Sequence, residues 1–236
     1  MVRINKLLSN LGICSRKEAA RYIEDGRIKI NGVLSIPGQW VEEDDEILID
    51  DQPVAAREKV YIALNKPVGI TCTAEKTVKD NIIEYVNYPE YIFPVGRLDK
   101  PSQGLIILTN DGVLANKILE SENEHEKEYI VTLDKDFDEK FIEAMSSGVE
   151  ICGQITRPCK VFRVDNNTFR IILTQGFNKQ IRRMSKVFGY NVIRLERGRI
   201  MNITLDGIEY GKYRFISESE VDKMLRLTEK NNLSKY

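Results

Sequence analysis

The sequence predicts an α+β chain in two domains, a small helix-and-hairpin domain followed by a larger one built on a largely antiparallel sheet with flanking helices. Within the first 33 residues, apolar positions recur at helical spacing and then at strand spacing. From Val60 onward, β-like runs interleave with amphipathic helical ones. An acidic stretch between them breaks both patterns and puts the boundary near Glu58. The length of 236 residues suits one or two domains, at about 100–200 residues each, and supports a core without cross-links.

In the first domain, Ile4, Leu7, Leu8 and Leu11 form one apolar helix face. Ser15-Arg16-Lys17-Glu18 is a capping box opening a second helix, which Gly26 stops. Ala19, Ala20 and Ile23 then face inward, leaving Arg16, Lys17 and Arg21 outside. Arg27-Ile28-Lys29-Ile30 alternates as a strand does, and Asn31-Gly32 is a two-residue hairpin signal. The acidic residues from 42 to 51 read as a solvated hairpin edge and linker.

In the second domain, strands are expected at 60–64, 104–109, 129–133, 168–174 and 192–196. Asp138 to Ser147 is helical, with Phe141, Ile142 and Met145 inward, and Gly148 ends it. Asn178 is placed to cap a helix running to Phe188 and stopped by Gly189. Ser217-Glu218-Ser219-Glu220 opens a last helix to about Leu225, and the polar end from Thr228 to Tyr236 reads as a frayed tail. The expected domains are therefore 1–58, 59–227 and the tail 228–236.

The net charge of −1 hides opposed blocks. Residues 1–33 carry seven basic against three acidic side chains, 34–58 one against eight, and 175–199 seven against one. Two basic blocks beside amphipathic helices point to a polyanionic partner, for which local field matters more than net charge. Composition excludes much else. Hydrophobic residues at 42% and charged ones at 30% are those of a soluble globular chain. No apolar run approaches the ~18 residues of a membrane span. No apolar leader follows Met1, so a cytoplasmic protein is expected. Cys14, Cys72, Cys152 and Cys159 stand at no zinc-ligand spacing, and His125 is the one histidine. Metal sites and histidine-based acid catalysis are not expected, and the thiols should be reduced and buried. Phosphate-binding glycine motifs are absent, so no nucleotide cofactor is signalled.

The chemistry lies in "FPVGRLDKPSQGLIILTNDG" at 93–112. Asp99, between Arg97 and Lys100, sits in a glycine-punctuated loop before an apolar strand. A neighbouring cation lowers a carboxyl pKa by roughly 1–3 units, which would hold an ionised nucleophile. Taken alone, Arg97-Leu98-Asp99 reads better as a structural ion pair in a turn.

Residues 6–34, "KLLSNLGICSRKEAARYIEDGRIKINGVL", resemble an S4-type RNA-binding domain. That resemblance implies phosphate contacts from Lys6, Arg16, Lys17, Arg21 and Arg27, which position RNA rather than read its sequence. Gly96-Arg97-Leu98-Asp99 with Ser102-Gln103-Gly104-Leu105 resembles the catalytic motif of pseudouridine synthases of the RsuA/RluB/RluE/RluF family. "LNKPVGITCT" at 64–73, "HEKEYIV" at 125–131 and "QGFNKQIRRMSKVFGYNVIRLERGRIMN" at 175–202 are similar to its other motifs, in order. The last of these, with "KDNI" at 79–82, is similar to the RluF branch, whose members modify large-subunit ribosomal RNA. Pro101 departs from the Asp frequent among relatives.

The resemblance implies a cofactor-free isomerase with Asp99, Tyr129 and Arg182 as catalytic residues. Asp99 would attack or deprotonate, Tyr129 would stack on the uracil, and Arg182 would pair with Asp99. Lys66, Arg97, Lys179, Arg183 and Lys186 would join the RNA-binding set. Leu64, Ile107 and Phe177 are expected in the core. The expected partner is ribosomal RNA, 23S favoured over 16S or transfer RNA, naked or in a partly assembled subunit, and bound by a monomer away from membranes. A non-catalytic RNA-binding or ribosome-assembly protein and an N-glycoside hydrolase are the readings from other classes.

Overall fold

The computed structural model describes residues 1–42, 44–75, 77–119 and 124–233, with side chains to Glu229. In the first domain, β1 (Val2–Arg3) leads into α1 (Ile4–Asn10) and α2 (Arg16–Glu24). Ser15 Oγ accepts the Glu18 backbone N–H at 3.0 Å, as the capping box requires. Ile4, Leu8, Ala19 and Ile23 are buried against β2 (Ile28–Ile30). The Asn31-Gly32 turn, with φ of 51° and 78°, returns the chain into β3 (Val33–Leu34). β4 (Trp40–Val41) pairs with β1, while β5 (Ile47–Ile49) and β6 (Gln52–Pro53) complete a sheet ordered β3-β2-β5-β6. The acidic stretch therefore corrects one expectation: its Ile47-Leu48-Ile49 segment is an interior strand, because two isoleucines flanking one residue supply an inward face.

The second domain runs β7 (Tyr61–Lys66), α3 (Ile82–Val86), β8 (Phe93–Pro94), β9 (Gln103–Thr109), α4 (Gly112–Leu119) and β10 (Lys127–Leu133). It continues with α5 (Glu139–Ser146), the hairpin β11 (Glu150–Ile151) and β12 (Gln154–Ile155), β13 (Lys160–Arg163) and β14 (Thr168–Leu173). Then come α6 (Gln180–Val187), β15 (Val192–Ile200), β16 (Ile203–Thr204), β17 (Tyr213–Phe215) and α7 (Glu218–Leu233). The main sheet is ordered β13-β14-β10-β15-β9-β7-β17, with β16 on β15 and β8 on β9. Every pairing in it is antiparallel except β9 with β15, where Gln103 faces Glu196 and Gly104 faces Arg197.

Strand alternation sends side chains to two cores. Leu64, Ile106, Val131, Phe169 and Ile171 pack with Phe141 of α5 and Met184 of α6. Ala63, Leu105, Ile107 and Ile200 pack with Leu114 of α4 and Met224 of α7. The domains meet where the Arg57 N–H donates to Leu11 O at 3.0 Å and Lys59 Nζ to Asn10 O at 2.9 Å.

Two helix ends differ from expectation. α6 starts at Gln180 after Lys179 in the left-handed region, φ 53°, and Asn178 does not cap it; its amide oxygen accepts from Arg183 Nη2 at 3.2 Å. α7 runs past Leu225 to Leu233, and Thr228, taken as the start of a frayed tail, is fully buried with its hydroxyl donating to Leu225 O. Residues 234–236 lie outside the described residues.

α7 is held at its start by the expected reciprocal box, Ser217 N–H donating to Glu220 Oε2 at 2.9 Å, and by Arg214 gripping both Glu220 oxygens at 2.7 and 2.8 Å. This guanidinium lowers the Glu220 carboxyl to about 2 from its ordinary 4.5. A depressed carboxyl stabilises above its unfolded pKa and loses that contribution as pH falls through the folded one. Urea melts should therefore show wild type ahead of Glu220→Gln by on the order of 1 kcal/mol at pH 7. The advantage should shrink between pH 4.5 and about 2, and a gap unchanged at pH 3 would contradict the assignment.

Candidate active site

The loop between β8 and β9, the start of β10, and the segment from Leu173 into α6 enclose a cleft of about 410 Å³. Asp99, Tyr129 and Arg182, expected together from sequence, all line it. The Asp99 loop is pinned on both sides. Leu98 is buried and its N–H donates to Cys72 Sγ at 3.4 Å, while the Ser102 N–H donates to Asp99 O at 2.9 Å. Asp99 itself is half-buried, and its carboxylate accepts no hydrogen bond from the described residues, so it stands open to the cleft. Lys100 is drawn away to Asp80 at 3.6 Å and Arg97 is exposed, so neither forms the turn ion pair the sequence allowed.

Arg182 approaches the same loop from α6. Its guanidinium donates to Val192 O at 2.8 Å, Ser102 Oγ at 3.2 Å and Pro101 O at 3.4 Å, with no direct ion pair to Asp99. Burial lowers the Arg182 pKa, and the charge of Asp99 opposes that shift. The expected pairing is thus corrected to a through-space one: hydrogen bonds to the loop hold Arg182 in place, and Asp99 keeps its carboxylate free.

Lys66 also departs from expectation. It is fully buried at the end of β7, where its ammonium donates to Pro67 O and Ser102 O, each at 2.8 Å. Burial pushes its pKa down. A phosphate cannot reach it; Lys66 is a strut beneath the Asp99 loop.

Tyr129 lies half-buried on β10, opposite Ile171 of β14 and Arg197 of β15. The Arg197 guanidinium lies 6.0 Å from its ring centroid. Arg197, missed as a site residue, is 3% exposed, donates from Nε to Leu105 O at 2.7 Å, and has Nη2 buried without a partner. Gln175 Nε2 and Arg182 Nε are likewise buried, unpartnered donors of cleft-lining residues. Such donors suit a ligand rich in acceptor oxygens. Lys127, two residues before Tyr129 on the same face, is brought down to about 8 by burial and by the charge of Arg197. Phe177, expected in the core with Leu64 and Ile107, is 39% exposed and lines the cleft, whereas the other two are buried. The signal for it was available: Gly176 and Asn178 beside it make a loop, not a strand or helix.

The remaining basic residues divide in two. Lys6, Arg16, Lys17, Arg21, Lys179, Arg183 and Lys186 are exposed. Arg27 is engaged within the domain, bidentate to Asp50 and stacked 4.1 Å from the Tyr22 ring centroid, which leaves it less charge to offer a phosphate. Lys17 makes one loose contact to Glu75 at 3.9 Å. Cys152 is exposed at the tip of the β11–β12 hairpin, against the expectation of buried thiols, because its left-handed backbone (φ 53°) forms the turn.

Fold and cleft together define a two-domain enzyme, one domain with a basic helical stretch and the other with the catalytic cleft. Residues 60–186 match the family described as RNA pseudouridylate synthase, and residues 2–47 match the S4 domain. The chain is 50% identical over 234 residues to "Dual-specificity RNA pseudouridine synthase RluF" of Escherichia coli (strain K12), covering 98% of this chain and 81% of that one. It is 29% identical over 238 residues to "Ribosomal large subunit pseudouridine synthase B" of Bacillus subtilis (strain 168), covering 97% and 98%. A solved structure described as "Crystal structure of pseudouridylate synthase" superposes with a TM-score of 0.70 at 30% identity, covering 95% of this chain and 100% of that one. The chain belongs to the RNA pseudouridine synthases, and it carries an S4 domain ahead of the synthase domain.

Proposed function

We propose that this enzyme isomerises uridine in ribosomal RNA, 23S first, working as a cytoplasmic monomer with residues 1–58 gripping RNA and the domain from 59 through α7 carrying the chemistry. The observation that carries the reading is the Asp99 carboxylate, open to a cleft it shares with Tyr129 and Arg182. Isomerisation breaks the C1′–N1 bond, turns the uracil and joins C1′ to C5; the C5 proton leaves to solvent and N1 gains one. Atoms and electrons balance without a cofactor. Asp99 supplies the carboxylate for the sugar or ring, Tyr129 stacks on the base, and Arg182 holds the loop and its charge in place. The buried donors of Gln175, Arg182 and Arg197 suit the uracil carbonyl oxygens. A uridine must leave its stack to enter, which costs a few kcal/mol. Exposed cations on both domains, Lys6, Arg16, Lys17, Arg21, Arg97, Lys179, Arg183 and Lys186, offset that cost at phosphates. No helix among the described residues is long and apolar enough to cross a membrane.

The test is tritium release from [5-³H]uridine-labelled 23S ribosomal RNA, with 16S and transfer RNA in parallel. Release with RNA mass unchanged is expected. Free uracil in the supernatant would mean hydrolysis instead, and release from transfer RNA alone would overturn the ribosomal assignment.

A further inference from the structure

α6 is a wall shared by two cavities. Besides the catalytic cleft, it lines a groove of about 620 Å³ against the β11–β12 hairpin, and no path for the RNA through it has been given above. Lys179 and Arg182 line both, so the groove opens beside the cleft. Its apolar lining comes from Ile151, Val187 and Val192. Arg183 and Lys186 bring its cations to four, against the one acid Glu150.

These cations are not neutralised. Among the described residues, Lys179, Arg183 and Lys186 make no ion pair. Arg183 donates to Asn178 Oδ1 at 3.2 Å and contacts Cys152 Sγ, and Lys186 donates to Asn191 Oδ1 at 3.3 Å. By contrast, Arg163, Arg170, Arg194 and Arg199 of the same domain each meet a glutamate. Like charges one helical turn apart, as Arg182 and Lys186 are, destabilise a helix. An anionic ligand relieves that repulsion. The volume falls within the roughly 300–1,000 Å³ of ligand sites, and a positively charged groove is what tracks the backbone of single-stranded RNA.

We propose that this groove holds the RNA strand leading away from the target uridine, its phosphates on Lys179, Arg183 and Lys186 and its base against the apolar lining. The proposal rests on the isomerase reading and locates the path of its substrate. The phosphates must pass Lys179 and Arg182 to reach the cleft, so the two shared residues fix where the strand turns inward.

Cys152 reports on the groove directly, being exposed and one of its lining residues, while Cys14 and Cys72 are buried. The experiment is maleimide alkylation of the full chain, read by mass spectrometry, with and without a 23S ribosomal RNA transcript, and with tritium release measured in the same mixture. RNA at about ten times its Kd should slow Cys152 alkylation about tenfold. Arg183→Gln with Lys186→Gln should flatten the dependence of log affinity on log salt by about 1.4, at about 0.7 per lost phosphate contact. Turnover with Cys152 alkylated as fast as in free protein would overturn the groove assignment and leave the isomerase reading standing. Protection without turnover would support the groove as an RNA path and overturn naked 23S ribosomal RNA as the substrate. An unchanged salt slope would show that something other than a phosphate strand covers Cys152.

Discussion

Asp99→Asn should lower single-turnover tritium release by at least about a thousandfold, the scale on which losing an essential charged group acts, while RNA affinity by filter binding stays within about twofold. Asparagine keeps the shape of the side chain and takes away its charge. The Asp99 loop should hold, because its anchors are the Leu98 and Ser102 backbone N–H groups and the Lys66 ammonium, none of which touches the Asp99 carboxylate. Arg182 should feel the change, since the Asp99 charge is what opposes the lowering of its pKa by burial. Turnover within tenfold of wild type would remove Asp99 from the chemistry.

Gly104→Ala should cost about 2–4 kcal/mol through backbone strain and displaced neighbours, a fall in Tm of roughly 5–15 °C for a domain this size. Gly104 has φ +107°, and a Cβ there would lie 2.4 Å from Arg197 O and 2.6 Å from Arg197 N. Both contacts are with backbone, so β9 and β15 must part. The parting would also move Arg197, whose guanidinium lies beside Tyr129 and bonds Leu105 O, so activity should fall before unfolding does. Gly198→Ala is the control: a Cβ there meets nothing within 4 Å, and its melt should match wild type within about 2 °C. A Gly104→Ala protein that melts with the control would mean the two strands can separate at little cost.

Local patterns made much of this legible. The Ser15 and Ser217 boxes, the Asn31-Gly32 hairpin and the strands around 62, 107, 131 and 171 follow from spacing and turn chemistry that act within a few residues. Asp99 and Tyr129 could be picked out because their motifs are continuous in the chain. What sequence reading missed depends on partners far away in the chain. Lys66 reads as an exposed cation until β9 brings the Ser102 carbonyl, 36 residues on, over its ammonium. Arg27 reads as a phosphate ligand until β5 delivers Asp50, 23 residues on. Arg197 lies in an ordinary strand pattern, and only its place in β15, opposite Tyr129 of β10 on one side and in parallel pairing with Gly104 of β9 on the other, brings it to the cleft. The end of α7 was misplaced because a polar composition hides a buried Thr228.

That parallel pairing also bears on how the chain is made. Gln103 and Glu196 are 93 residues apart, and β17, which closes the far edge on β7, is later still. At about 5–20 residues per second, the ribosome would expose Asp99 for several seconds or more before the residues that complete its cleft emerge. Contacts of such separation also form slowly. Through that interval the apolar strand Leu105 to Leu108 lacks β15, so the half-made chain has need of shielding and no means of acting on the ribosome that is producing it.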